Sequence, residues 1–359
     1  IPYPTFIVQG ILPMLDERGG VFCDRLVRDA DGVNREGISE RYTAMTLLGL
    51  NRYHRVGFRS PFAVEDMANT LLSERGWASD IGDVGLLVWL FAEVNPSELG
   101  KCLTVIDLAS TFEHSHLVRS RHTMELAWFL TGVAKAVLAE PSQREKWRPL
   151  ADATYRLLLR NRGRSGLFGH RSSRVAPNAW RGWIGSFADQ VYPIYALTNF
   201  ARAFGVGEAL DNASACADGI CRAHGPLGQR WWHYSATSGR VVQRYPVYSV
   251  HQEAMGPMAL LEVARANGRD MTYPILHGLR WILGQNEVGQ DMRDLELGVV
   301  WRSVRFPGKA RMVYQEVANW ARAGSEPAAV EGLTILRECR PYELGWLLFA
   351  FSEFETAAA

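Results

Sequence analysis

Residues Gly225–Ala266 read GPLGQRWWHYSATSGRVVQRYPVYSVHQEAMGPMALLEVARA. Two adjacent tryptophans, a histidine and three tyrosines precede a helix of small and apolar residues. Neither strand alternation nor an exposed loop accounts for that order. The stretch has an earlier copy in the chain. Phe168 and Trp231 stand 63 positions apart, and the same spacing joins His170 to His233, Ser186 to Ser249, Ala196 to Ala259 and Leu197 to Leu260. It also joins Ala201-Arg202-Ala203 to Ala264-Arg265-Ala266. One ungapped register over this many matches reads as a structural repeat of about 60 residues.

Each unit holds a Gly-aromatic turn, a polar segment, an apolar helix, a short Gly-containing break and an amphipathic helix. PIYALTNFARAF and GPMALLEVARA are small or apolar nearly all round, as buried helices are. REKWRPLADATYRLLLRNRG spaces its apolar residues for one buried face. Looser copies bring the count to six inner helices, starting near residues 39, 80, 121, 187, 250 and 342. Outer helices are expected near 61–75, 97–110, 141–161, 206–223, 268–284 and 312–337. Strand signals are confined to short loop pieces such as GRVVQRY. The pattern predicts an all-α fold, a single-domain toroid of six helical hairpins spanning 1–359, with an insertion at about 285–340. It resembles the (α/α)6 toroids shared by glycoside hydrolases, polysaccharide lyases, sugar epimerases and terpenoid cyclases.

Composition bounds the function. The 359 residues are 47% hydrophobic and 21% charged, with a net charge of +1, so nucleic acid is not an expected partner. The five cysteines contain no CxxC pair and read as free thiols in a reducing compartment. No run reaches membrane-spanning length. IPYPTFIVQGILPML lacks the marks of a signal peptide, and the missing initiator Met points to a trimmed upstream segment. A cytoplasmic location is expected, with the oligomeric state left open.

The loops entering the inner helices hold the chemistry, whereas those leaving them, such as RANGRD, are plain. Expected substrate contacts are Arg41, Tyr42, Trp180, Arg181, Trp183, Tyr192, Trp232, His233, Arg244, Tyr248, Gln252 and Tyr342. Aromatic faces stack on pyranose rings while Arg, Gln and His bind hydroxyls, and the arginines also suit a uronate. A saccharide is therefore the expected ligand, with no metal or cofactor. The aspartate-rich DDxxD and DxDD motifs of terpenoid enzymes are absent, and DMRD (Asp291–Asp294) departs from both.

Glycoside hydrolysis needs two carboxyl groups across the bond. Asp80 and Asp83 open one inner helix in SDIGDVG, Asp189 opens another, and Glu40 precedes Arg41-Tyr42. Helix capping explains each aspartate equally simply. Ser186/Asp189 and Ser249/Gln252 both spell a capping box, and Pro193 and Pro257 downstream imply a kink or restart. His251, with Tyr248, Tyr245 and Arg244, would serve a lyase or epimerase as base and carboxylate clamp. His114, His116 and His122 cluster without metal-ligand spacing. Asp80-Ile-Gly82 resembles the Asp-x-Gly helix opening of unsaturated glucuronyl hydrolases, and Trp180-Arg-Gly182 a second segment of that family. The resemblance implies a catalytic role for Asp80. The reading is a glycoside hydrolase. A polysaccharide lyase or sugar epimerase, a terpenoid cyclase and a non-catalytic saccharide-binding toroid are the alternatives.

Overall fold

In the computed structural model the described residues are 3–16, 19–115, 122–171, 179–308 and 331–354. Helices run in the order α1 (Tyr3–Ile11), α2 (Glu40–Arg55), α3 (Val64–Ser73), α4 (Ile81–Val94), α5 (Leu99–Val105) and α6 (Leu108–His114). They continue with α7 (Thr123–Ala139), α8 (Arg144–Leu159), α9 (Ala188–Phe204), α10 (Gly207–Arg222), α11 (Gly256–Asn267), α12 (Thr272–Ile282) and α13 (Pro341–Phe351). Helices α2, α4, α7, α9, α11 and α13 pack side by side, and α13 returns against α2 to close a ring. The amphipathic helices lie outside them. Inner starts fall at 40, 81, 123, 188 and 341, with the fifth beginning as a π-turn, His251–Met255, that runs into α11.

Two outer elements depart from expectation: the one near 97–110 is broken into α5 and α6, and the last is not a helix at its end. Residues 312–330 of the helix expected at 312–337 lie outside the described residues, and Thr334–Leu336 is a strand. The N-terminal α1 packs against α13 instead. Its nine-residue apolar run, YPTFIVQGI, lacks the polar stripe that marks the other outer helices.

The repeat is also not ungapped. Gln190 and Gln252 each clamp a backbone edge: the Gln190 side-chain oxygen accepts from Phe168 N and its amide donates to Phe168 O, as Gln252 does with Arg230. Those pairs are 62 positions apart, not 63. The left-handed glycines that end the two helices, Gly205 and Gly268, both at φ 72°, are 63 apart. The extra residue is absorbed between them by the π-turn, the usual way a helix takes up an insertion. Spatially, Asp189 therefore matches His251 and His170 matches Trp232. The second capping box does not form, because Ser249 Oγ donates to Trp301 O, 2.5 Å away. Pro193 sits inside a continuous α9.

Where inner helices touch, glycine sets the distance. A Cβ on Gly85 would lie 2.3 Å from Phe129 Cα, and one on Gly49 2.0 Å from Gly345 O. The α4–α7 and α2–α13 backbones thus meet directly. Gly85→Ala is expected to destabilise the fold by about 1–3 kcal/mol through overpacking, read from the urea midpoint.

Alternate helices of the ring meet at its centre. Trp89 of α4 stacks on Tyr195 of α9 at 5.0 Å and on Trp346 of α13 at 5.4 Å, and Phe349 packs edge-on against Trp89. Since α4, α9 and α13 are not ring neighbours, these rings fill the axis. Short three-stranded sheets lace the helix-entry loops together. One pairs Ile184–Ser186, His233–Ser235 and Val241–Gln243; another pairs Val247–Tyr248, Ser303–Arg305 and Thr334–Leu336. The second shows that the insertion's described ends bind the mouth loops. No helix among the described residues is long and apolar enough to cross a membrane, and all five cysteines are unbridged.

Candidate active site

The first turns of the inner helices converge at one end of the ring. Asp80 caps α4, its Oδ1 accepting from Gly82 N at 2.8 Å and Asp83 N at 3.1 Å. Asp83, 3% exposed, is gripped by Arg41: Nε to Oδ1 at 2.5 Å and Nη2 to Oδ2 at 2.8 Å. Burial raises its carboxyl above the ordinary range, with Arg41 opposing. The fork that the sequence offered to a substrate is thus occupied by one of the candidate acids, and Arg41 Nη2 also reaches Asp80 at 3.4 Å. Glu40, Arg41, Tyr42, Trp77 and Asp83 line a hollow of about 250 Å³ beside the mouth.

Tyr42 packs against Tyr342 at 4.6 Å and receives a 2.6 Å hydrogen bond from Arg340. Arg302 binds Glu343 at 2.5 Å and lies over the Tyr248 ring. Three arginines at the mouth (41, 302 and 340) therefore serve internal carboxylates or phenols. Arg244 lies over Trp231, 5.7 Å from the ring centroid.

Trp231 is buried, whereas Trp232 is half-buried, stacks on His233 at 4.5 Å and meets Tyr248 edge-on at 5.8 Å. His233 holds Gln243 at 2.7 Å, and burial depresses its basicity. Trp183 is 42% exposed on the rim beside half-buried Arg181. The Trp180 side chain lies outside the described part, as do His116, Arg119 and Arg121.

Several expected contacts prove internal. Gln252 is fully buried and spends its amide on the Arg230 and Tyr248 backbone. Tyr192, 4% exposed, accepts from Trp346 Nε1 at 3.1 Å. His251 packs between Phe187 and Tyr248, and burial, then Arg302, pushes its pKa down to about 3. It is neutral at physiological pH. Glu113 and His114 end outer helix α6.

Asp189 does form its capping box: Ser186 N and Oγ donate to Oδ2 at 2.8 and 2.9 Å, and Asp189 N donates to Ser186 Oγ at 3.2 Å. It also takes His170 Nδ1 at 3.2 Å. Burial opposes its charge, but the His170 and Ser186 contacts hold the carboxyl below the ordinary range.

The residue that sequence reasoning missed is Glu125. It stands in the first turn of α7, as Asp83 does in α4, and a Cβ on Gly82 would come within 3.1 Å of Glu125 Cα. Its side chain is 15% exposed, with His122 Nδ1 3.9 Å from Oε2. That oxygen has no hydrogen-bond partner among the described residues. Burial, reinforced by the charges of Asp189 and Asp80, pushes its pKa up to about 7. Glu343 is likewise raised to about 7 by burial, against the pull of Arg302, but both of its oxygens are engaged. The signal that could have found Glu125 is its place: third residue of an inner helix, behind a histidine.

Many solved structures share this architecture. An unsaturated glucuronyl hydrolase from Streptococcus agalactiae matches with TM-score 0.62 at 10% identity, covering 98% of this chain and 90% of that one. The α-1,6-mannanase GH76A of Salegentibacter sp. HEL1_6, as an inactive variant in complex with α-1,6-mannotetrose, gives 0.61 at 13% over 99% and 98%. Cellobiose 2-epimerase from Bacillus thermoamylovorans gives 0.61 at 11% over 96% and 95%. The chain is an (α/α)6 toroid. No family model and no curated protein matches the sequence. Because hydrolases and an isomerase share this scaffold, the fold leaves the reaction to be argued from side chains.

Proposed function

We propose that this protein is a glycoside hydrolase whose general acid is Glu125. The observation that carries the reading is a buried carboxyl at the mouth with an unpartnered oxygen, its pKa raised to about 7 by burial, near the Asp189 carboxyl that His170 and Ser186 hold below the ordinary range. Environments that drive two carboxyls apart are how one site holds an acid and a base together.

Glu125 donates its proton to the glycosidic oxygen as the bond to the anomeric carbon breaks, and the electron pair leaves with that oxygen. Asp80, 22% exposed on the adjacent helix, stabilises the positive charge growing on the sugar and takes a proton from the attacking water. Tyr42, Tyr342, Trp232 and Tyr248 supply ring faces for stacking. Asp83 and Arg41 act as a brace that fixes the Asp80 turn. The comparisons support a saccharide ligand through what the three neighbours act on.

The test is a panel of α-1,6-mannotetraose, cellobiose and an unsaturated glucuronyl disaccharide, followed by mass and NMR analysis of the products. Water added across a glycosidic bond supports the reading. An isomer of unchanged mass would favour the second reading, a sugar epimerase with the Asp189–His170 pair as its base. No turnover of any panel member would count against both.

The acid also predicts a pH profile. Glu125 must carry its proton, so kcat/KM is expected to fall as pH rises through about 7. A rate that stays flat to pH 9 would remove Glu125 from the acid role.

A further inference from the structure

Under this reading, on which the inference rests, Glu125 loses a proton at every turnover. A carboxyl packed between helix starts recovers it faster where a titratable neighbour hands it over. The neighbours are aligned for this. His122 Nδ1 lies 3.9 Å from Glu125 Oε2. The His122 and His170 rings lie 5.0 Å apart between centroids, tilted by 45°. His170, 23% exposed, sets its Nδ1 against the buried Asp189 carboxylate at 3.2 Å.

Backbone pairing, with the Thr123 and Asn161 side chains, fixes this row independently of the imidazoles. Thr123 N donates to His170 O at 2.9 Å, and Thr123 Oγ1 donates to Gly169 O. Asn161 Nδ2 braces Thr123 Oγ1 at 2.7 Å, and His122 pairs with Arg171 as a β-bridge. The start of α7 is thereby stitched to the loop ahead of α9. In the next repeat, the positions of His170 and Asp189 hold Trp232 and His251, so the arrangement is not a packing rule common to the hairpins.

We propose that His170 and His122 form a two-imidazole line that returns a proton to Glu125 after each turnover, with Asp189 orienting the outer imidazole. His170 keeps Nδ1–H on Asp189 and takes a proton from water at Nε2. The proton passes to His122, directly or through one bridging water, and from His122 Nδ1 to the Glu125 carboxylate. One proton enters from solvent and one arrives at Oε2; His170 returns to its starting form, and His122, left as the Nε2–H tautomer, regains Nδ1–H by proton exchange with water before the next turnover. No electrons change hands. The other charged groups whose fields reach Glu125 are Asp80 and Arg41; Arg41 is committed to Asp83, and Asp80 faces the attacking water.

Recharging follows bond cleavage, so it enters kcat and not kcat/KM. His170→Ala and His122→Ala are each expected to lower kcat about tenfold or more, with kcat/KM within about twofold of wild type. Free imidazole added to the assay restores kcat. The substrate is whichever saccharide of the panel is turned over. His122 makes no side-chain cap to α7, so His122→Ala carries the test if His170→Ala fails to fold. Asp189→Asn gives the same signature more weakly. The relay is overturned if kcat stays at the wild-type level, if kcat and kcat/KM fall together, or if imidazole restores nothing. Activity retained by Glu125→Gln, or no turnover of any panel saccharide, would overturn the hydrolase reading itself and not merely the relay.

Discussion

Glu125→Gln is expected to lower kcat/KM by about 10²–10⁴-fold, the usual loss when a positioned general acid is removed. Fold and saccharide binding should survive. The amide has the shape of the protonated carboxyl and, like it, carries no charge, and near pH 7 that carboxyl is already about half neutral. Calorimetric titration with the active saccharide should therefore give an affinity close to wild type while turnover collapses. The fall in rate above pH 7 should vanish with the residue. Asp83→Asn makes a useful contrast: it strips the brace from Arg41, so thermal stability drops along with activity. A Glu125→Gln enzyme that still turns over at a tenth of the wild-type rate would sink the assignment.

The second large effect lies at the opposite end of the ring. Lys135 of α7 and Glu93 of α4 sit 2.6 Å apart, each 9% exposed, with Trp89 Nε1 donating to Glu93 at 3.1 Å. Lys135→Met leaves Glu93 buried without its main partner and is expected to cost about 3–5 kcal/mol in urea unfolding. Adding Glu93→Leu to that variant should recover most of the loss, since a well-packed apolar pair replaces a buried ion pair at little net cost. The pH dependence has a definite sign. Burial opposes the Glu93 charge, but Lys135 and Arg52 hold its pKa down to about 2, against 4.5 for an ordinary glutamate. The stabilisation is complete above pH 4.5 and is lost as pH falls towards 2. The double variant should be less sensitive over that range than wild type. Equal sensitivity would show that other groups dominate acid unfolding.

Much of this architecture was legible in the chain. Inner helices surrounded by protein on all sides must be apolar all round, and that property marked six starts to within one or two residues in every case. Helix α1 escaped because nine residues with no polar stripe look like an arm, not a ring member. The register error had a different source: the 63 offset is true beyond the π-turn, and identities such as His170 with His233 carry it back into the stretch where hydrogen bonds show that Gln190 matches Gln252. The candidate site was half readable. Asp80, Asp83, Tyr42 and Trp232 do reach the mouth, because helix starts carry acids and loops carry aromatics. Which acid lies open and which is braced by Arg41 depends on helices far apart in sequence. Glu125 and His170 gain their character from neighbours that only the closed ring brings near.

The indoles and phenyl rings that meet on the axis have one more consequence. Among the described residues, Trp89, Trp346, Tyr195 and Phe349 cork the ring along its axis. Under the proposed function, a sugar that enters past Tyr42 and Trp232 is stopped by these rings and leaves by the mouth it came in by, so a spent fragment competes there with its replacement.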